Sequence, residues 1–101
     1  MKVLEQTADE ARAVRMLRAL ANPVRYRIVQ ILAARNACVC GELVDELPLA
    51  QSTVSEHLKV LKDAGVVRGV VEGPNLCYCL DPEALRFLGG ALGALERQAC
   101  C

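Results

Sequence analysis

The stretch that decides the fold is AQSTVSEHLKVLKDAG, residues 50–65, which has the pattern of one amphipathic helix. Val54, Leu58 and Leu61 recur at the i, i+4 and i+7 spacing that places side chains on one helix face. Gly65 ends the pattern, because glycine readily adopts the backbone conformation that terminates a helix. The spacing therefore predicts a helix over 51–64 with a polar face opposite its apolar face.

The polar face of this predicted helix carries hydroxyl and charged side chains in its first turns. Such side chains bond phosphate oxygens and base edges, and a recognition helix contacts bases with its N-terminal residues. An ordinary solvated helix face has similar residues, so the interpretation depends on the neighbouring elements. His57 borders the apolar face, where we expect a packed, hydrogen-bonded residue rather than a ligand. The candidate DNA-binding residues are Gln51, Ser52, Thr53, Ser55, Glu56 and Lys59, with Arg68 further along the chain.

The residues before this segment predict three helices and one short strand. A capping box at residues 7–10 opens the first helix, and an Asn-Pro pair at 22–23 opens the second. Pro48 closes the third, because proline cannot continue a helix. The predicted bounds are 5–20, 23–36 and 41–47 for the helices and 37–40 for the strand. The apolar stripe of the first helix is assigned to Val14, Leu17 and Leu20.

The residues after it predict a β-hairpin and a last helix. Two alternating segments, 66–72 and 76–80, flank a Gly-Pro-Asn turn. Asp81 and Pro82 then provide a cap and a first helical residue. The last helix carries a leucine seam suited to another helix, together with glycines that make sense where backbones approach closely at a subunit contact. The seam is Leu85, Leu88, Leu92 and Leu95, and the glycines are Gly89, Gly90 and Gly93.

This order of elements predicts an α+β fold, mainly α, of the winged helix-turn-helix type. A single domain spans 1–101, with the helix-turn-helix at 41–65 and a β-hairpin wing at 66–80. The N-terminal and C-terminal helices, 5–20 and 82–99, are predicted to form a homodimer interface.

The composition fits one folded domain, since 53% of the 101 residues are hydrophobic. Twelve basic and 12 acidic residues give a formal net charge of zero, so DNA binding depends on local clustering of Lys and Arg. No apolar run reaches the roughly 18 residues of a membrane span. We expect a cytoplasmic protein without a secretory signal or a membrane partner. A single histidine and the lack of a Gly-rich phosphate loop argue against an enzyme.

Cysteine is the anomaly of the composition. The six cysteines form three local pairs: Cys38 and Cys40, Cys77 and Cys79, and Cys100 and Cys101. In a cytosolic protein, such a count favours metal binding or redox chemistry over structural disulfides.

Thiolates are soft donors that select zinc, copper(I) and similar thiophilic ions. Residues two apart in a strand share a face, so both Cys-x-Cys pairs lie side by side if the first strand joins the wing. We therefore predict a main metal site at Cys38, Cys40, Cys77 and Cys79. Two alternatives remain open for the strand cysteines. They are small apolar core residues, or they form a disulfide between the two strands.

Three segments resemble the ArsR–SmtB repressors. Residues 50–65 resemble their recognition helix, ANPVRYRI at 21–28 resembles their second helix, and CVCGEL at 38–43 resembles their arsenic-sensing Cys-Val-Cys-Asp-Leu motif. Leu43 stands where that motif has a third cysteine. Some arsenic-sensing relatives use a terminal Cys-Cys pair, so the resemblance makes Cys100 and Cys101 a second candidate metal site.

The resemblance implies a homodimer that represses from a two-fold-related operator in double-stranded DNA and needs no cofactor for DNA binding. A thiophilic inducer would relieve repression: As(III), Sb(III), or an ion such as Zn, Cd or Cu(I). Two alternative functions remain open. One is a thiol-redox-responsive repressor on the same scaffold, and the other is a zinc-stabilised protein-interaction module that binds no DNA.

Overall fold

The computed structural model describes residues 4–35, 37–41, 43 and 46–100. The elements within these ranges confirm the predicted α+β, mainly α, winged helix-turn-helix fold. They are α1 (Ala8–Leu20), α2 (Pro23–Arg35), β1 (Val39–Cys40), α3 (Gln51–Asp63), β2 (Val67–Val70), β3 (Cys77–Leu80) and α4 (Pro82–Gln98). Residues 42, 44 and 45 of the helix predicted over 41–47 lie outside the described ranges, and Leu43 and Leu47 are buried as expected.

Local capping signals set the helix starts. The Thr7 side chain accepts a hydrogen bond from the Glu10 amide at 3.1 Å, and the Glu10 carboxylate accepts one from the Thr7 amide. The Asn22 side chain accepts from two amides at the start of α2, and Asp81 accepts from the Glu83 amide at 3.0 Å. These bonds satisfy N–H groups that a helix terminus otherwise leaves unpaired, which confirms the predicted starts.

The described strands form an antiparallel sheet in the order β1-β3-β2, so β3 is the central strand. Tyr78 of β3 lies opposite Val39 on one side and Gly69 on the other. Its ring is fully buried, and its hydroxyl donates to the Gly41 carbonyl oxygen at 3.3 Å. The sheet therefore packs its Tyr78 face on the core and turns the opposite face outward.

The core forms where the helices meet this sheet, and α3 supplies its centre with Val54, Leu58 and Leu61 fully buried. The stripe assigned to α1 was correct for Leu20, which packs against the core, and wrong for Leu17. The helix buries Met16 and Ala19, whereas Leu17 remains 42% exposed. Residue hydrophobicity alone did not distinguish this face.

The leucine seam of α4 is covered only in its first half. Leu88 is buried, but Leu92 and Leu95 are 47% and 64% exposed. A cleft of about 520 Å³ opens between α1 and α4 beside them. A Cβ atom added at Gly89 or Gly90 would meet nothing within 4 Å in the same chain. The second half of α4 thus presents an apolar, low-relief surface.

An ion pair joins α1 to the start of α4. Arg12 donates to a Glu83 carboxylate oxygen at 2.7 Å and stacks over the Phe87 ring at 4.1 Å. This hydrogen bond lowers the pKa of Glu83 and raises that of Arg12, because each charge stabilises the other. Among the described residues, no helix has the length and apolar character needed to span a bilayer.

Candidate DNA-binding surface and cysteine cluster

The first turns of α3 present the predicted reading face to solvent. Ser52, Glu56 and Lys59 are exposed, and Thr53 and Ser55 are half-buried. The N-cap residue is Ala50, which makes no side-chain hydrogen bond to the first-turn amides. The Thr53 amide donates to the Ala50 carbonyl oxygen at 3.0 Å, so the first-turn candidates for an external acceptor are the Gln51 and Ser52 amides, and helix N-termini favour phosphate oxygens.

Two of the predicted reading residues are bonded to each other. The Gln51 side-chain amide donates to the Ser55 hydroxyl at 3.0 Å. The other amide atom, Gln51 Oε1, is buried without a hydrogen-bond partner among the described residues. A base contact by Gln51 would therefore require its amide to exchange this partner for a nucleotide.

His57 contacts a residue that the sequence analysis did not identify. Its Nδ1 atom lies 3.3 Å from a guanidinium nitrogen of Arg25, on α2. The expectation that His57 is packed and hydrogen-bonded is confirmed. The Asn-Pro-Val-Arg segment was the available signal for Arg25, but it reveals only a helix start and not the residue's contact 32 positions along the chain.

The strand cysteines come together as the sequence analysis expected. Cys40 lies opposite Cys77 in the ladder between β1 and β3, with Cα atoms 3.9 Å apart. Cys38 and Cys79 have Cα atoms 4.2 Å apart, and the structure joins each facing pair as a disulfide. We call these four residues the cysteine cluster. Val39 and Tyr78, between them in sequence, are buried on the opposite face.

The donor set of the cluster fits a thiophilic ion only in its reduced form. In the disulfide-bonded form, the described ranges contain no group of three or more His, Cys, Asp or Glu residues arranged to hold a metal. Reduction of both bonds would leave four adjacent sulfurs, and soft ions prefer thiolate ligands. Leu43 is buried in the core, so that position supplies no third sulfur ligand.

Arg68 belongs to the surroundings of the cluster. It lies opposite Cys79 in the ladder between β2 and β3 and is exposed. Together with Cys38 and Cys79, it lines a cleft of about 290 Å³. The sequence analysis grouped Arg68 with the candidate DNA-binding residues. The alternation of side chains along β2 did not reveal that Arg68 lies opposite Cys79.

The cysteine cluster is connected to both α3 and α4. β2 separates β3 from α3 and contacts both. At the other end of β3, Leu80 is followed directly by Asp81, the N-cap residue of α4, whose amide donates to the Val66 carbonyl oxygen at 2.9 Å. β3 therefore contacts α3 through β2 and leads directly into α4.

The second candidate metal site is only half described. Cys100 is exposed beyond the end of α4, and Cys101 lies outside the described residues. The pairing of these two cysteines as ligands stays a prediction.

Comparison with known proteins gives consistent matches. A family model described as a helix-turn-helix domain matches residues 20–70. The HTH-type transcriptional repressor SmtB of Mycobacterium tuberculosis is 52% identical over 65 residues, which are 64% of this chain and 47% of the repressor. The chain thus spans about half the length of this curated relative.

Solved structures match over more of the chain. One described as an ArsR family transcriptional regulator has a TM-score of 0.75 at 19% identity, covering 94% of this chain and 95% of that one. Another, described as a possible transcriptional regulator for arsenical resistance, has a TM-score of 0.64 at 31% identity, covering 80% and 83%.

The fold and these matches define a winged helix-turn-helix protein of the class that regulates transcription. The chain belongs to the ArsR–SmtB family of transcriptional regulators, which confirms the resemblance found in the sequence. These relatives are regulators rather than enzymes, in agreement with the expectation drawn from the composition.

Proposed function

We propose that this protein is a homodimeric repressor that binds double-stranded operator DNA through α3. Its release is triggered when the cysteine cluster binds a thiophilic metal or metalloid, such as As(III). The observation that carries the proposal is the pairing of β1 with β3, because it gathers the cluster one strand away from the reading helix.

Two features of α3 and one of α4 support a role of α3 in DNA binding. Its hydroxyl side chains and Lys59 lie on the face opposite the buried stripe. Its first-turn amides have no side-chain cap. The uncovered half of α4 offers a surface through which two chains would present two such helices. A dimer reads two half-sites about one helical turn apart, so the spacing of the two α3 helices determines affinity.

Induction follows from coupling between β3, α3 and α4. An ion bound by thiolates from both β1 and β3 imposes its own ligand geometry on the two strands. The inducer must then bind the conformation that does not fit the operator more tightly than the one that does. Changing a 1:99 population to 99:1 requires about 5.5 kcal/mol of differential affinity, which thiolate coordination of a soft ion is able to supply.

The decisive experiment titrates reduced protein, bound to an operator duplex selected from a random library, with arsenite and separately with zinc. Cys38→Ser and Cys40→Ser should keep DNA affinity and abolish release. Cys77→Ser or Cys79→Ser should weaken release. Cys100→Ser combined with Cys101→Ser is the matched control and should respond nearly as the wild type does. If only this control loses release, the inducer site is at the end of α4 and the assignment is wrong.

A second candidate function is supported by the disulfides that join Cys38 to Cys79 and Cys40 to Cys77. An oxidant in place of a metal would then change the β1–β3 pairing and release DNA. Treatment with diamide in the presence of a chelator separates the two functions, since only a redox sensor would dissociate. Binding to the selected operator duplex also tests the third function, because a zinc-stabilised interaction module would not bind this duplex at all.

A further inference from the structure

Arg25 joins three helices at one point. Its Nε donates to the Ala19 carbonyl oxygen at 2.6 Å, and a terminal nitrogen lies 3.5 Å from the Arg18 carbonyl oxygen. Both carbonyls belong to the last turn of α1, where unpaired oxygens attract a cation. The other terminal nitrogen reaches His57 Nδ1 on α3 at 3.3 Å. A single side chain thus connects the end of α1 to the middle of α3.

The chemistry of this contact determines the state of the ring. A guanidinium has five N–H donors and no acceptor. The Nδ1 atom of His57 must therefore accept, so it carries no proton while the contact holds. A protonated ring would have two N–H donors and a positive charge facing Arg25, which removes the bond and adds repulsion.

The cleft beside these contacts carries further charged side chains. Arg15 and Arg18 from α1 and Asp63 from α3 line it together with Arg25. In this cleft, three cations face one carboxylate.

We infer that Arg25 is a positioning residue for the recognition helix, which it holds against the end of α1 through the neutral ring of His57. The inference rests on the proposed role of α3 in DNA binding. Loss of the contact lets α3 rock on its buried stripe, and two loosely held reading helices in a dimer fit their half-sites less well. Binding to any DNA sequence through phosphate contacts tolerates such rocking.

The test measures fluorescence anisotropy of the selected operator duplex and of a scrambled duplex. Arg25→Lys should lower operator affinity about tenfold, because an ammonium cannot make these three contacts at once. Its affinity for the scrambled duplex should be unchanged. Arg27→Lys is the matched control, since Arg27 is an exposed arginine on the same helix, and it should bind as the wild type does.

His57→Gln provides a second readout that does not depend on altering Arg25. The glutamine side-chain oxygen can accept from the guanidinium, so operator affinity should stay within about threefold of wild type near neutral pH. His57→Leu, whose side chain has no acceptor, should lose about as much operator affinity as Arg25→Lys does.

Different results would overturn the positioning role of Arg25 and the proposed role of α3 in DNA binding. If Ser52→Ala and Lys59→Ala leave operator binding unchanged, α3 is not the reading helix and both proposals fail. If those variants bind weakly while Arg25→Lys binds normally, only the positioning role is wrong. Equal operator affinity for His57→Leu and the wild type would overturn it as well, including in the case that Arg25→Lys does not fold.

Discussion

Gly69 is the residue on which the pairing beside the cysteine cluster depends, and we expect Gly69→Ala to be severely destabilising. Its φ of +113° lies in a region that residues with a side chain rarely adopt. A Cβ atom built there would lie 2.2 Å from the Cys77 carbonyl oxygen and 2.9 Å from Tyr78 Cα. Both are backbone atoms of β3, so no side chain can rotate away to make room.

Two costs set the size of this effect. A non-glycine residue held in a sparsely populated region costs on the order of 1–3 kcal/mol. Moving β2 away from β3 also weakens ladder hydrogen bonds, each with a net value of about 1 kcal/mol. We therefore expect the free energy of unfolding to fall by about 3 kcal/mol. For a domain of this size, that corresponds to a Tm lower by about 12–24 °C.

Thermal unfolding of the reduced protein, followed by circular dichroism, measures this loss. Gly73→Ala is the matched control, since Gly73 also has a positive φ, +88°, but an added Cβ atom there meets nothing within 4 Å. Alanine there should cost only the backbone strain, on the order of 1–2 kcal/mol. A folded Gly69→Ala protein with a Tm like that of wild type would refute the reasoning, because β2 would then pair with β3 without a glycine.

Three further predictions follow from the described contacts. Leu92→Glu places a charge on the uncovered half of α4 and should yield monomers with weak operator binding, whereas an intact dimer in ultracentrifugation would remove α4 from the interface. The hydrogen bond from Arg12 lowers the pKa of Glu83, so its stabilisation is present above the unfolded-state pKa and is lost as the pH falls through the folded value. Acid unfolding curves should therefore converge for wild type and Glu83→Gln at low pH and separate at neutral pH, and a constant difference would contradict this. Lys59→Ala should lower operator affinity and reduce the salt slope by about one unit, while an unchanged slope would show that Lys59 touches no phosphate.

Local patterns in the sequence predicted most of the fold. The helix starts at Thr7, Asn22 and Asp81 were predictable because a cap and the amides it satisfies are neighbours in the chain. The stripe of α3 was predictable because helical periodicity acts over a few residues. The face of α1 was not, because Met16 and Ala19 are buried by the shape of what packs on them, and Leu17 is no less hydrophobic.

The sequence by itself determined that Cys38 shares a strand face with Cys40, and Cys77 with Cys79, since a two-residue repeat is a property of any strand. Only the tertiary structure decided that these pairs meet, because β1 and β3 join across 37 and 41 residues of chain. The same holds for the contact of Arg25 with His57, 32 residues away, and for the position of Arg68 beside Cys79. Backbone pairing and core packing select such long-range partners, and neither leaves a periodic signal in the sequence.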